Sequence, residues 1–123
     1  MANPISVVLI DDDPHTRNLF EMVLGHHHIG IQVYKDAESA LKDLPNLSPD
    51  VVVIDLFLPG LDGYQMFDRI RSKSLAPRSR FVAITAYYTH DTEQEITKRG
   101  FDGYLPKPIS ADGLVKYLNN LLH

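Results

Sequence analysis

Cysteine is absent from this 123-residue chain, which excludes a disulfide framework and any thiolate metal site and fits a reducing compartment. No apolar run approaches the ~20 residues that a membrane-spanning helix needs. The start, Met1 to Ser6, has neither the basic nor the apolar region of a secretory signal, so a cytoplasmic protein with no membrane contact is expected. A surplus of basic charge is also missing. The net charge of -4 argues against nucleic acid as a direct partner, because duplex binding calls for a basic face. Linkers, repeats and low-complexity tracts are lacking as well. The expectation is one domain over residues 1–123, long enough to bury a core without staples.

What the chain does have is a regular alternation of short apolar runs and helical patterns. Candidate strands are Ile5 to Ile10, Ile31 to Tyr34, Val51 to Asp55, Arg80 to Thr85 and Asp102 to Leu105, with a helix-length segment after each. Asp13 can cap a helix that begins at Pro14, carries Leu19, Phe20, Val23 and Leu24 on one stripe, and ends at Gly25. Asp36 can cap Ala37 to Leu44, stopped by Pro45; Asp62 precedes a face of Met66, Phe67 and Ile70; Ser110 opens a last helix with Leu114, Leu118, Leu121 and Leu122. The fourth helical segment, Asp91 to Arg99, has only Ile96 as an apolar anchor and should be weakly held. Right-handed crossovers then give an α/β doubly wound parallel sheet of flavodoxin-like order 2-1-3-4-5, with helices on both faces.

In such sheets the ligand site lies at the carboxyl ends of the strands. Asp11 and Asp12 follow the first strand, Asp55 closes the third, Thr85 closes the fourth, and Lys107 lies just past the fifth between Pro106 and Pro108. Carboxylates held close cannot all stay ionised without a compensating cation. Oxygen-only ligands favour Mg²⁺ or Mn²⁺. A divalent ion, a carboxylate nucleophile, an ammonium and a hydroxyl together suit phosphoryl transfer.

Four separated motifs carry a resemblance to the receiver domain of two-component response regulators, of the chemotaxis-regulator type. They are Val7-Val8-Leu9-Ile10-Asp11-Asp12-Asp13-Pro14, the stretch from Val53 to Gly63 around Asp55, Ile84-Thr85-Ala86-Tyr87, and Gly103-Tyr104-Leu105-Pro106-Lys107-Pro108-Ile109. The resemblance covers essentially the whole chain. It implies that Asp55 accepts phosphate from a phosphohistidine on a sensor histidine kinase or phosphotransfer protein. It implies that Asp12, Asp55 and the Phe57 carbonyl hold Mg²⁺, with Asp11 acting largely through water, and that Thr85, the Ala86 amide and Lys107 hold the phosphoryl oxygens. A cis peptide between Lys107 and Pro108, and a switch in which Thr85 and Tyr104 move together, are further implications. So is a responsive surface, available for dimerisation, on the fourth helix, fifth strand and fifth helix.

On this reading the protein is a signalling switch and not an enzyme, with self-directed phosphoryl transfer and autodephosphorylation only. Phe57 and Tyr87 are bulky where water would approach, which suggests slow loss of phosphate. No output domain follows the last helix, so the chain is expected to act by protein contact or to be part of a longer regulator or hybrid kinase. A second reading takes Asp11-Asp12-Asp13 as the opening of a haloacid-dehalogenase-like phosphatase with Asp11 as nucleophile, although His15 stands where that pattern has threonine or valine. A third is a phosphate-independent scaffold. Other features read as structure: Asp13 as a helix cap, Gly60 and Gly63 as turn residues, and Tyr104 in part as ordinary packing. His26, His27 and His28 read as a surface loop, and the basic run Arg69, Arg71, Lys73, Arg78 and Arg80 as a solvated face.

Overall fold

Val7, Val8, Leu9 and Ile10 are all almost inaccessible to solvent. Successive strand residues point to opposite faces, so this run requires cover on both sides of the sheet. The computed structural model describes residues 5–123 and supplies that cover. Met1 to Pro4, part of the stretch read for signal features, lie outside the described residues.

Strands β1 (Ser6–Ile10), β2 (Gly30–Tyr34), β3 (Val51–Asp55), β4 (Arg80–Thr85) and β5 (Gly103–Pro106) form one parallel sheet in the order β2-β1-β3-β4-β5. Helices α1 (Pro14–His26), α2 (Ala37–Asp43), α3 (Gly63–Ser72), α4 (His90–Arg99) and α5 (Ala111–Leu122) alternate with them. Val7, Leu9, Val53, Val82 and Ile84 face a core completed by Phe20 and Leu24 of α1 and by Leu114 and Leu118 of α5. Val8, Ile10, Val52, Ile54, Phe81 and Ala83 face the opposite core, filled by Ala40, Met66, Phe67, Ile70 and Ile96 from α2, α3 and α4. The doubly wound expectation therefore holds, strand order included.

Register places the chemistry. Ile10 pairs with Ile54, and Asp55 with Ile84, so Asp11, Asp55 and Thr85 leave the sheet at the same edge. Helix starts follow local capping: Asp13 accepts from the His15 amide, Asp36 from Ser39, and Ser110 from Gly113. Asp62 and Gln65 form a reciprocal capping box at α3.

Three expectations need correction. Gly25 does not end α1, which runs through His26 and turns at His28, a residue with φ of 58°. Pro45 does not simply stop α2, since Leu44–Asn46 tighten into a 3₁₀ turn that accommodates the proline at its first positions. Gly63 is not a turn residue but the first residue of α3, where a Cβ would collide with the Asp55 carbonyl oxygen and lie 2.6 Å from Leu56 Cα. Gly60, with φ of 79°, is the true turn glycine of that loop.

Candidate functional site

The acidic side chains of the site stand at the carboxyl ends of β1 and β3. Asp11 follows β1 and is fully buried; Asp55 ends β3 and is nearly so; Asp12, between them in chain order, is exposed. Carboxylate oxygens from Asp11, Asp12 and Asp55 all lie within 4.8 Å of one another. Lys107, just past β5, brings Nζ to 2.9 Å from Asp11 Oδ2, 3.4 Å from Asp55 Oδ2 and 3.9 Å from Asp13 Oδ2. The peptide between Lys107 and Pro108 is cis.

Backbone donors fix the two buried carboxylates. The Asp13 amide donates to Asp11 Oδ1 at 2.9 Å, and the Phe57 amide to Asp55 Oδ1 at 3.0 Å. Burial pushes the Asp11 carboxyl up to about 6, helped by the nearby Asp55 charge and opposed by the Asp13 amide and the Lys107 ammonium. For Lys107, burial favours loss of the proton, but the Asp11 and Asp55 carboxylates outweigh it and hold the ammonium above its ordinary range.

The donor set suits a hard divalent cation. Asp11 Oδ2 is the one buried side-chain oxygen among the described residues without a hydrogen bond of good geometry. It lies in a cluster of three carboxylates faced by the Lys107 ammonium. Asp13, by contrast, spends its carboxylate on α1, accepting from the His15 amide at 3.0 Å and the Thr16 hydroxyl at 3.0 Å.

Thr85 is buried at the end of β4, and its Oγ1 accepts the Tyr87 amide at 3.0 Å. Its carbonyl accepts from the Lys107 amide at 2.8 Å, which ties the two strand ends together. Ala86 is exposed and shares with Asp13, Thr16, Lys107 and Ile109 the lining of a groove of about 490 Å³ beside the carboxylates. Phe57 and Tyr87 meet edge to face, centroids 4.9 Å apart, both largely exposed. Tyr104 is half-buried on β5, and its hydroxyl donates to Glu93 of α4 at 2.7 Å.

These positions decide between families. A model of the response regulator receiver domain matches residues 7–119. The chain belongs to the response regulator receiver domains. The transcriptional regulatory protein TrcR of Mycobacterium tuberculosis is 32% identical over 121 residues, which cover 98% of this chain and 46% of TrcR. The nitrate/nitrite response regulator protein NarL of Escherichia coli K12 is 35% identical over 127 residues, covering 94% of this chain and 54% of NarL. The chain thus spans about half the length of these two relatives. Among solved structures, the receiver domain of the Francisella response regulator 1452 matches with a TM-score of 0.86 at 29% identity, over 98% of this chain and 97% of that one. The Vibrio cholerae chemotaxis protein CheY4 shares the fold, with a TM-score of 0.89 at 22% identity over 98% of this chain and all of that one.

A receiver domain is a component of two-component signal transduction, a signalling family rather than a family of conventional enzymes. The two relatives are, by name, a transcriptional regulatory protein and a nitrate/nitrite response regulator. Neither the phosphatase nor the scaffold reading gains support from the fold or from these relatives. No helix among the described residues is long and apolar enough to cross a membrane.

Two groups around this receiver site escaped the sequence reading. Arg17 donates to the Asp11 carbonyl at 2.9 Å and braces the β1 end from α1. Glu93 accepts from both Tyr88 and Tyr104. Helical spacing from the Asp13 cap would have placed Arg17 near Asp11; no sequence signal joins Glu93 to Tyr104. The histidines lie where α1 meets β2, His26 in the last turn of the helix, and all three are exposed. The basic run is partly used in packing: Arg71 sits over the Phe67 ring at 5.3 Å and Arg80 pairs with Asp102 at 3.8 Å.

Proposed function

We propose that Asp55 is the phosphoacceptor of a receiver unit spanning residues 1–123, which takes a phosphoryl group from a phosphohistidine on a histidine kinase or phosphotransfer protein. The observation that carries this reading is the shared ammonium: Lys107 Nζ reaches Asp55 and Asp11 at once, inside a cluster of three carboxylates. In the transfer, an Asp55 oxygen forms the new P–O bond as the P–N bond breaks, and the imidazole leaves with the electron pair. Lys107, the Thr85 hydroxyl and the Ala86 amide bind the phosphoryl oxygens and offset their charge. Asp12, Asp55 and the Phe57 carbonyl would hold Mg²⁺, or Mn²⁺, with Asp11 acting through water. The ion would supply charge neutralisation for the phosphoryl oxygens.

The protein then acts on itself alone, through phosphorylation and its reversal, and signals by the surface of α4, β5 and α5. That surface meets an output protein or domain, or a second copy, with no direct nucleic-acid contact. The expected setting is the cytoplasm. Treatment with a small acyl phosphate and Mg²⁺, read by intact mass, tests the reading on wild type, Asp55→Asn and Asp11→Asn. One phosphoryl addition that disappears in folded Asp55→Asn supports it. Labelling that survives Asp55→Asn but not Asp11→Asn favours the phosphatase, and a wild type that never labels favours the scaffold.

A further inference from the structure

The first turn of α4 is tied to the site by side chains outside the acidic cluster. Glu93 Oε2 accepts the Tyr88 hydroxyl at 2.7 Å, and Oε1 accepts the Tyr104 hydroxyl at 2.7 Å. The two rings stack with centroids 5.3 Å apart and planes 22° off parallel. One carboxylate thus fastens the segment after β4 to β5. That segment, residues 86–89, is only four residues long and directly follows Thr85. The Thr92 hydroxyl holds the Tyr87 carbonyl at 3.3 Å, and Thr89 caps α4 by accepting the Thr92 amide at 3.1 Å. At its other end the segment closes on the site, where the Tyr87 amide donates to Thr85 Oγ1.

We propose that Glu93 is a positioning residue that latches residues 86–89 and the Tyr104 ring to α4, and so opposes any movement of Thr85 toward a phosphoryl group on Asp55. The proposal rests on the phosphoacceptor reading and assigns its regulation to a residue outside the site. The physical reason is reach. For Thr85 to give its hydroxyl to a phosphoryl oxygen it must give up the Tyr87 amide, and Tyr87 cannot move far while its carbonyl and its neighbour Tyr88 are both held by α4. The helix has a single buried residue, Ile96, so polar ties at its amino end decide where that end sits. Both hydrogen bonds are to an ionised acceptor, the stronger kind, and they draw the Glu93 carboxyl below its ordinary range. Coupling of this form is reciprocal: a partner that occupies Glu93 on the α4–β5 face would favour phosphorylation as phosphorylation favours the partner.

The test is the rate of Asp55 labelling by a small acyl phosphate with Mg²⁺, in wild type, Glu93→Gln, Tyr88→Phe with Tyr104→Phe, and the triple variant. Glu93→Gln keeps the shape and removes the charge. It should label faster than wild type by about threefold, the small factor that a solvent-accessible contact carries, with a thermal midpoint lowered by only about 2–4 °C. The tyrosine double variant should be equally fast, and Glu93→Gln should add nothing in that background. A labelling wild type with Glu93→Gln at the same rate or slower overturns the latch. So does an acceleration that persists in full when both hydroxyls are gone. Wild type that fails to label at Asp55 overturns the phosphoacceptor reading itself, and the two failures are told apart by that signal.

Discussion

The Lys107 ammonium lies nearer Asp11, at 2.9 Å, than Asp55, at 3.4 Å. The lysine proposed to bind the phosphoryl group therefore neutralises first the carboxylate with the least access to water. This has a consequence for stability. Asp11 titrates near 6 in the folded protein against an ordinary 3.8. An acid that holds its proton more tightly when folded lowers stability as pH rises through the window between those values. Without divalent ions, Asp11→Asn should be more stable than wild type at pH 7.5. After allowance for screening the gain is on the order of 1 kcal/mol, or about 4 °C in Tm. The gap should shrink toward pH 4, and shrink again when millimolar Mg²⁺ stabilises the wild type. Thermal melts in chelator at the two pH values check it, and an Asp11→Asn protein less stable at pH 7.5 would refute it.

Phe57 and Tyr87 touch across the space between the β3 and β4 ends, yet are 58% and 68% exposed. Rings so placed gain little from burial, so their contact is better explained by what it screens. Each lies two residues past a site residue, Asp55 or Thr85. Replacing both with alanine should shorten the phosphoryl lifetime on Asp55 by about tenfold, the effect of ~1.4 kcal/mol on a barrier. Either single change should act in the same direction. Following loss of the label by intact mass decides the matter; a lifetime of seconds that truncation leaves unchanged refutes the screening role.

How far the sequence could be read depended on burial. β1, β3 and β4 are covered on both faces and announce themselves as uninterrupted apolar runs, and their carboxyl ends located Asp11, Asp55 and Thr85. The edge strands were less distinct: β2 begins one residue earlier than Ile31, and β5 is Gly103–Pro106 rather than Asp102 to Leu105. At an edge, pairing on one side sets the limits more than composition does. Gly25 misled because propensity alone marks glycine as a stop, while the helix runs one exposed residue further, to His26, after its last buried residue Leu24. The Tyr88, Glu93 and Tyr104 contact was not legible, since it joins a loop, a helix and a strand whose closeness exists only after folding.

Gly63 is held to its identity by backbone. The atoms a Cβ would meet are the Asp55 carbonyl oxygen and Leu56 Cα, neither of which can rotate away as a side chain end would. Gly63→Ala should therefore destabilise the fold by about 1–3 kcal/mol, the usual cost of forcing atoms into a packed site. Because one of the displaced atoms is the carbonyl oxygen of Asp55, the proposed acceptor, labelling of Asp55 should slow even at a temperature where the variant is fully folded. Denaturant unfolding and labelling at 10 °C measure the two effects separately. Wild-type labelling in a destabilised Gly63→Ala protein would show that α3 supports the fold without setting the acceptor.

Ile96 is the only buried residue of α4. The other ties of the helix are polar and open to water: Glu93 at its start, and at its end Arg99, which pairs with Asp68 of α3 at 3.5 Å and lies over the Tyr64 ring at 4.4 Å. Exposed pairs of this kind contribute little each, so the apolar anchor carries most of the attachment. Ile96→Ala should cost about 2–4 kcal/mol, and the loss should fall unevenly. Amide protons of α4 should exchange far faster, through local detachment, while those of β3 should follow only the smaller change in global stability. Hydrogen exchange read residue by residue distinguishes this from uniform loosening. Equal acceleration in α4 and β3 would mean that the helix unfolds only with the whole sheet, and that the proposed signalling face has no independent freedom to respond to Asp55.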